Sequence, residues 1–124
     1  MIKWFEKHYK ISFILTLLIA IAIFYISALT FLPGKPVFDI KPYLYHFFAF
    51  FFLCLFLLVS LVQGKINKSL FFISIIISIL YGISDEFHQL FVPGRSCSFA
   101  DVMLDTSGIL FASFLYAFRI RNKK

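Results

Sequence analysis

Charged residues are scarce in this chain of 124 residues. They make up 15% of it, whereas a typical soluble domain carries about a quarter. Hydrophobic residues make up 61%, and 19 residues are Phe. This composition excludes an ordinary soluble domain. It indicates an integral membrane protein with one domain, residues 1–124.

Cysteine is also scarce, and several catalytic motifs are absent. Cys54 lies in an apolar run and Cys97 in a connecting turn, so the two are not placed to form a disulfide framework. The sequence contains no HExxH motif, no Walker loop and no GxSxG elbow. No diagnostic spacing therefore assigns a reaction, and whether the protein is an enzyme stays open.

The apolar residues fall into four runs of about 20 residues or more. They cover residues 11–32, 43–63, 69–92 and 99–118. A helix of about 20 residues, rising 1.5 Å per residue, crosses a hydrocarbon core of ~30 Å. The last two connections are short and contain Gly or charged residues, so the helices they join should be antiparallel neighbours. We predict an all-α fold, a four-helix transmembrane bundle.

The basic residues indicate the orientation of this bundle. If the amino terminus is cytoplasmic, the inner side holds Lys3, Lys7, Lys10, Lys65, Lys68, Arg119, Arg121, Lys123 and Lys124, and the outer side holds Lys35, Lys41 and Arg95. The positive-inside rule favours this arrangement, with both termini cytoplasmic. Because these residues flank apolar runs and form no basic face, we expect no nucleic-acid binding.

Acidic residues concentrate in one predicted hairpin, residues 81–108. Four of the six acidic residues of the chain lie there: Asp85, Glu86, Asp101 and Asp105. A charge near the middle of a bilayer costs roughly 3 kcal/mol or more, so it normally faces a protein interior or a water-filled cavity. The hairpin is therefore the candidate functional region.

Helical spacing places these residues on two faces that can meet. Tyr81, Asp85 and Gln89 follow one another at intervals of four residues, and Asp101 and Asp105 do the same on the next helix. In the predicted topology, polar residues of the other helices lie at the same depth. We predict Asp85, Glu86 and Asp101 as candidate catalytic residues, and Arg95, Gln89, His46, Ser98, Asp105, Ser27 and Tyr81 as ligand-binding residues.

Structural explanations compete with a site. Ser98 and Asp101 have the spacing of a capping box, and Arg95 could pair with an acid simply to hold the hairpin. The helix dipole cannot explain Asp85 and Glu86, because they lie near a helix carboxyl terminus, where negative charge is disfavoured.

Three chemical interpretations of the acids stay open. Asp85, Glu86 and Asp101 could bind a divalent cation through oxygen ligands. They could instead act as general acid and base, or form a proton relay in a small transporter.

The motifs DExxQ, from Asp85 to Gln89, and PGRxxSxxD, from Pro93 to Asp101, resemble the signature of the VanZ-like family of small membrane proteins. Tyr81, Gly82 and Gly108 agree with it, and His46 and Ser27 match the general layout. Asp105 stands where the family more often carries Asn, which makes this site more anionic.

The resemblance implies a role at the cell envelope, in a prokaryotic plasma membrane. The founding member of the family is associated with low-level resistance to the antibiotic teicoplanin. We expect an outward-facing pocket that binds or modifies an envelope lipid or lipid-linked sugar. The alternatives are a small transporter or flippase-like subunit, and a non-catalytic accessory protein. The sequence leaves the oligomeric state open.

Overall fold

The computed structural model describes residues 2–27, 40–91 and 99–122, except for the side chains of residues 27 and 40–43. The described residues form five helices and no strand. The helices are α1 (Ile2–Lys7), α2 (Tyr9–Ser27), α3 (Ile40–Val62), α4 (Lys68–Gln89) and α5 (Phe99–Arg121). The predicted all-α fold is confirmed.

Four of these helices, α2 to α5, are long and apolar enough to cross a membrane. Their outward surfaces carry large exposed apolar side chains, such as Ile21, Phe24, Ile76, Leu80 and Phe114. Their buried faces carry many of the polar side chains of the described residues. This distribution suits a lipid environment, because exposed apolar surface on this scale is rare in soluble monomers.

The helix boundaries differ from the predicted ones by a few residues. α4 ends at Gln89, before the predicted residue 92, and the Leu90 amide donates back to the Phe87 carbonyl at 3.2 Å. α5 continues to Arg121, past the predicted residue 118. The predicted end of the first transmembrane helix, residue 32, lies outside the described residues.

Helix α3 is central, since it packs against α2, α4 and α5. Its buried residues Phe50, Cys54 and Leu58 form a core with Ile109 and Tyr116 of α5. The backbones of α3 and α5 come very close at one point. A Cβ atom at Gly108 would lie 2.3 Å from the Phe47 carbonyl oxygen of α3. Small residues allow such close helix contacts in membranes.

The turn between α3 and α4 is tight, as predicted. Gln63 and Gly64 have positive φ angles of 57° and 76°, the left-handed conformation that commonly ends a helix. The Asn67 side chain then caps α4 by accepting a hydrogen bond from the Leu70 amide at 3.1 Å. α3 and α4 are therefore antiparallel neighbours.

Candidate functional site

Four buried side chains from three helices meet at one end of the bundle. They are His46 of α3, Asp85 and Glu86 of α4, and Asp105 of α5. Each offers a nitrogen or oxygen atom, and these atoms all lie within 4.8 Å of one another. Each residue is at most 7% exposed. We call these four residues the His–acid cluster.

The ends of the helices explain why the cluster forms there. α3 and α5 begin at this end of the bundle, so His46 and Asp105 lie in their early turns. α4 runs in the opposite direction, so Asp85 and Glu86 lie in its last turns. The structure thus joins the acidic faces of two helices to a histidine from a third.

The His46 imidazole is held by Asp105. Its Nδ1 lies 2.8 Å from Asp105 Oδ1, which fits an N–H donating to a carboxylate. Its Nε2 lies 3.8 Å from Asp101 Oδ2, beyond hydrogen-bond distance. With the proton on Nδ1, the neutral ring carries its lone pair on Nε2. Asp105 therefore orients His46 and leaves Nε2 able to accept a proton.

One oxygen of Asp105, Oδ2, is buried and has no hydrogen-bond partner among the described residues. This oxygen lies 3.5 Å from the place that a Cβ of Gly82 would take, so it points towards α4. Because a buried unsatisfied acceptor costs about 1–3 kcal/mol and more when charged, this oxygen is suited to receive a proton or a cation.

The electrostatics of the cluster lead to the same conclusion. Two like charges 4 Å apart repel by about 4 kcal/mol at an effective dielectric constant of 20. Asp85, Glu86 and Asp105 place three carboxylates within a similar distance of one another. The cluster therefore requires positive charge or added protons. Arg95, the predicted counter-charge, lies outside the described residues.

Some other predicted site residues lie near the cluster, and one makes a different contact. Gln89 is buried on α4, one turn beyond Asp85, while Asp101 is half-buried on α5. The Tyr81 hydroxyl donates to the Ala20 carbonyl of α2. This bond gives Tyr81 a structural contact between α4 and α2.

Three further predicted residues cannot be placed. Arg95 and Ser98 lie in residues 92–98, outside the described residues, and the side chain of Ser27 is also outside them. The capping box between Ser98 and Asp101 therefore stays a prediction.

Sequence reasoning missed a second buried polar group at the opposite end of the bundle. Glu6 of α1 accepts a hydrogen bond from the Tyr116 hydroxyl at 2.9 Å, and Arg119 contacts both its oxygens at 3.3 Å. The Gly64 amide donates to the same Tyr116 hydroxyl at 2.9 Å. The one signal in the sequence was a lone acid among basic amino-terminal residues. This group ties α1, α5 and the α3–α4 turn together.

A groove of about 480 Å³ lies at that same opposite end, between the start of α4 and the end of α5. Its lining is mainly apolar, with Lys65, Lys68 and Arg121 as its charged residues. Because no carboxylate or imidazole of the described residues lines it, this groove offers none of their acid–base or ligand groups.

Comparison with known proteins agrees with the resemblance seen in the sequence. The family model described as VanZ/LLP1 matches residues 11–120, a range that includes all four members of the His–acid cluster. No curated protein and no solved structure shows significant similarity to the chain. With the four membrane-length helices, the match indicates a multi-pass membrane protein. The chain belongs to the VanZ/LLP1 family.

Proposed function

We propose that this protein binds or modifies the polar head group of a cell-envelope lipid or lipid-linked sugar at the His–acid cluster. One observation carries the proposal: four buried ligand-type side chains converge within 4.8 Å of one another, on three helices that are long and apolar enough to cross a membrane. Intramembrane ionisable groups are expensive to bury, and they are functional by default.

The position of the cluster favours a head group over other ligands. The cluster lies near helix ends, and the ends of a spanning helix are where the hydrocarbon core gives way to the polar groups of the lipids. Exposed apolar side chains at this end, such as Phe87 and Met103, offer contacts for acyl chains. The basic residues favour cytoplasmic termini, and in that orientation the cluster would lie on the outer side. An envelope lipid of the outer leaflet is therefore the ligand we favour.

The cluster has the groups that such a ligand requires. Carboxylates of Asp85 and Glu86 can accept hydrogen bonds from sugar or glycerol hydroxyls. His46, oriented by Asp105, can take up or deliver a proton through Nε2. Arg95 would hold a phosphate by a bidentate contact. Gln89 and Asp101 would complete the polar surroundings, as would Ser98 and Ser27.

Native mass spectrometry of the gently extracted protein tests the proposal. We expect the wild-type protein to retain a lipid and His46→Gln to lose it. His88→Gln is the matched control, because the His88 ring stacks on Phe24 of α2, 4.6 Å between ring centroids, and belongs to no part of the cluster. Equal lipid retention by both variants would contradict the proposal and favour an accessory role.

If this protein contributes to teicoplanin resistance, that contribution should depend on the His–acid cluster. His46→Gln should then abolish the protection that the wild-type gene gives a deletion strain in a drug-susceptibility assay, at equal protein level. Protection that persists in this variant would separate resistance from the His–acid cluster.

A further inference from the structure

We infer that the His–acid cluster is a binding site for one divalent first-row metal ion, with His46, Asp85, Glu86 and Asp105 as its ligands. This inference rests on the proposed function, because the ion would be a cofactor at the same site. Ion binding itself can be tested without a lipid.

The donor set selects the class of ion. Imidazole suits zinc, iron and similar ions, whereas carboxylates suit magnesium, calcium and manganese. A site with one imidazole and three carboxylates is served by a divalent ion that accepts both kinds of ligand, such as Mn²⁺. Helical bundles commonly build such sites from Glu, Asp and His side chains on facing helices.

The candidate atoms are close enough together to share one ion. Ligand atoms at roughly 2.0–2.2 Å from an ion lie at most about 4.4 Å from one another, twice that bond length. The candidate atoms of the cluster all lie within 4.8 Å of one another. Inward movement of the side chains would bring them onto a single ion.

Asp105 supplies an independent indication. It is 1% exposed, and its Oδ2 atom has no hydrogen-bond partner among the described residues. Its other oxygen accepts from His46 Nδ1 at 2.8 Å. A separation of 2.8 Å is also that of two neighbouring ligands at roughly 2.0–2.2 Å from one ion, so an ion bound by Asp105 would take the place of the proton on His46 Nδ1.

Charge also favours a metal ion. Three carboxylates at this separation repel one another strongly, and a divalent ion offsets two of their charges. Ligand atoms from α3, α4 and α5 would then be joined through the ion, so binding should also raise the thermal stability of the bundle.

Titration with Mn²⁺ tests the inference. Purified protein is stripped with EDTA, freed of chelator and titrated with Mn²⁺, with the free ion followed by electron paramagnetic resonance. We expect one Mn²⁺ per chain. Asp105→Asn should weaken binding roughly 100-fold or more, because loss of even a ligand's hydrogen-bond partner costs about 10–100-fold. Glu6→Gln removes a buried acid at the other end of the bundle, so its affinity should stay within about threefold of the wild type.

Several outcomes would overturn the inference. The wild-type protein could bind no Mn²⁺ at millimolar concentration, or Asp105→Asn and Glu6→Gln could weaken binding equally. If Asp105→Asn does not elute as a folded species in size-exclusion chromatography, Glu86→Gln takes its place, and unchanged affinity in that variant counts against the site.

The metal inference and the proposed function can fail separately. Lipid retention by the EDTA-treated protein in native mass spectra, with no Mn²⁺ binding, would overturn the metal site and leave the proposed function standing. Binding of Mn²⁺ without any retained lipid would overturn the proposed function and leave the metal site standing.

Discussion

Replacing Gly108 with Ala should damage the candidate site by pushing α3 and α5 apart. The added Cβ would lie 2.3 Å from the Phe47 carbonyl oxygen and 3.2 Å from the Phe51 amide nitrogen. Ordinary contacts begin at 3.4 Å, so the first contact is about 1 Å too short. Both obstructing atoms belong to the backbone of α3 and cannot rotate away. The helices must therefore separate.

The separation acts directly on the cluster. Phe47 follows His46 on α3, and Gly108 lies one turn after Asp105 on α5. A shift of about 1 Å would stretch the 2.8 Å contact between His46 and Asp105 beyond hydrogen-bond distance. Overpacking of this kind typically costs about 1–3 kcal/mol. We expect Gly108→Ala to lower the melting temperature by several degrees and to lose the retained lipid.

Gly82→Ala is the matched control for this variant. A Cβ at Gly82 would meet its nearest atoms, in the side chains of Phe50 and Asp105, at 3.4–3.5 Å, which is ordinary contact. Its melting temperature should stay close to that of the wild type. Fluorescence-detected size-exclusion chromatography of heated detergent extracts measures both variants. Equal melting temperatures for Gly108→Ala and the wild type would refute the close approach of α3 and α5.

Two hydroxyl deletions test the contacts that lie outside the His–acid cluster. Tyr116→Phe leaves the Gly64 amide without its 2.9 Å acceptor and removes a hydrogen-bond donor to Glu6. The free energy of unfolding should fall by about 1–3 kcal/mol. We expect a lower melting temperature and an unchanged affinity for Mn²⁺. Tyr81→Phe loses its bond to the Ala20 carbonyl and should cost about 0.6 kcal/mol, the average for hydrogen bonds between membrane helices. A larger loss of stability for Tyr81→Phe than for Tyr116→Phe would contradict the expectation that the Tyr116 hydroxyl contributes more.

The faces of α4 and α5 could be predicted from spacing alone. Helical periodicity places Asp85 and Gln89 on one face of α4, and both are buried. The same reasoning places Asp101 and Asp105 on one face of α5, where Asp105 is buried and Asp101 is half-buried. These predictions succeeded because burial of a polar residue within an apolar helix depends on position along that helix, which the sequence gives.

The partner of Asp105 could not be predicted in this way. His46 lies 59 residues away in the sequence, and an isolated histidine near a helix end has other common roles. Their contact depends on how closely α3 approaches α5, which the backbone contact at Gly108 decides. Pairing between helices follows from packing, and periodicity within one helix carries no information about it.

The group around Glu6 was missed for a related reason. The basic residues near the amino terminus indicate membrane orientation, and they point to no partner for Glu6. Glu6 is 110 residues from Tyr116, with which it shares a hydrogen bond, so local sequence gave no indication of a partner. The short helix α1, which continues into α2 after His8, brings the two together.

Nuclear magnetic resonance of the histidine side chains can show whether a ligand binds at the His–acid cluster. The chain has three histidines, and selective ¹⁵N labelling reports on each ring. On addition of Zn²⁺, which binds imidazole well, we expect a shift of the His46 ring signals, with those of His8 and His88 unchanged, and loss of this shift in Asp105→Asn. Unmoved His46 signals, or a response confined to His8 or His88, would contradict a ligand site at the His–acid cluster.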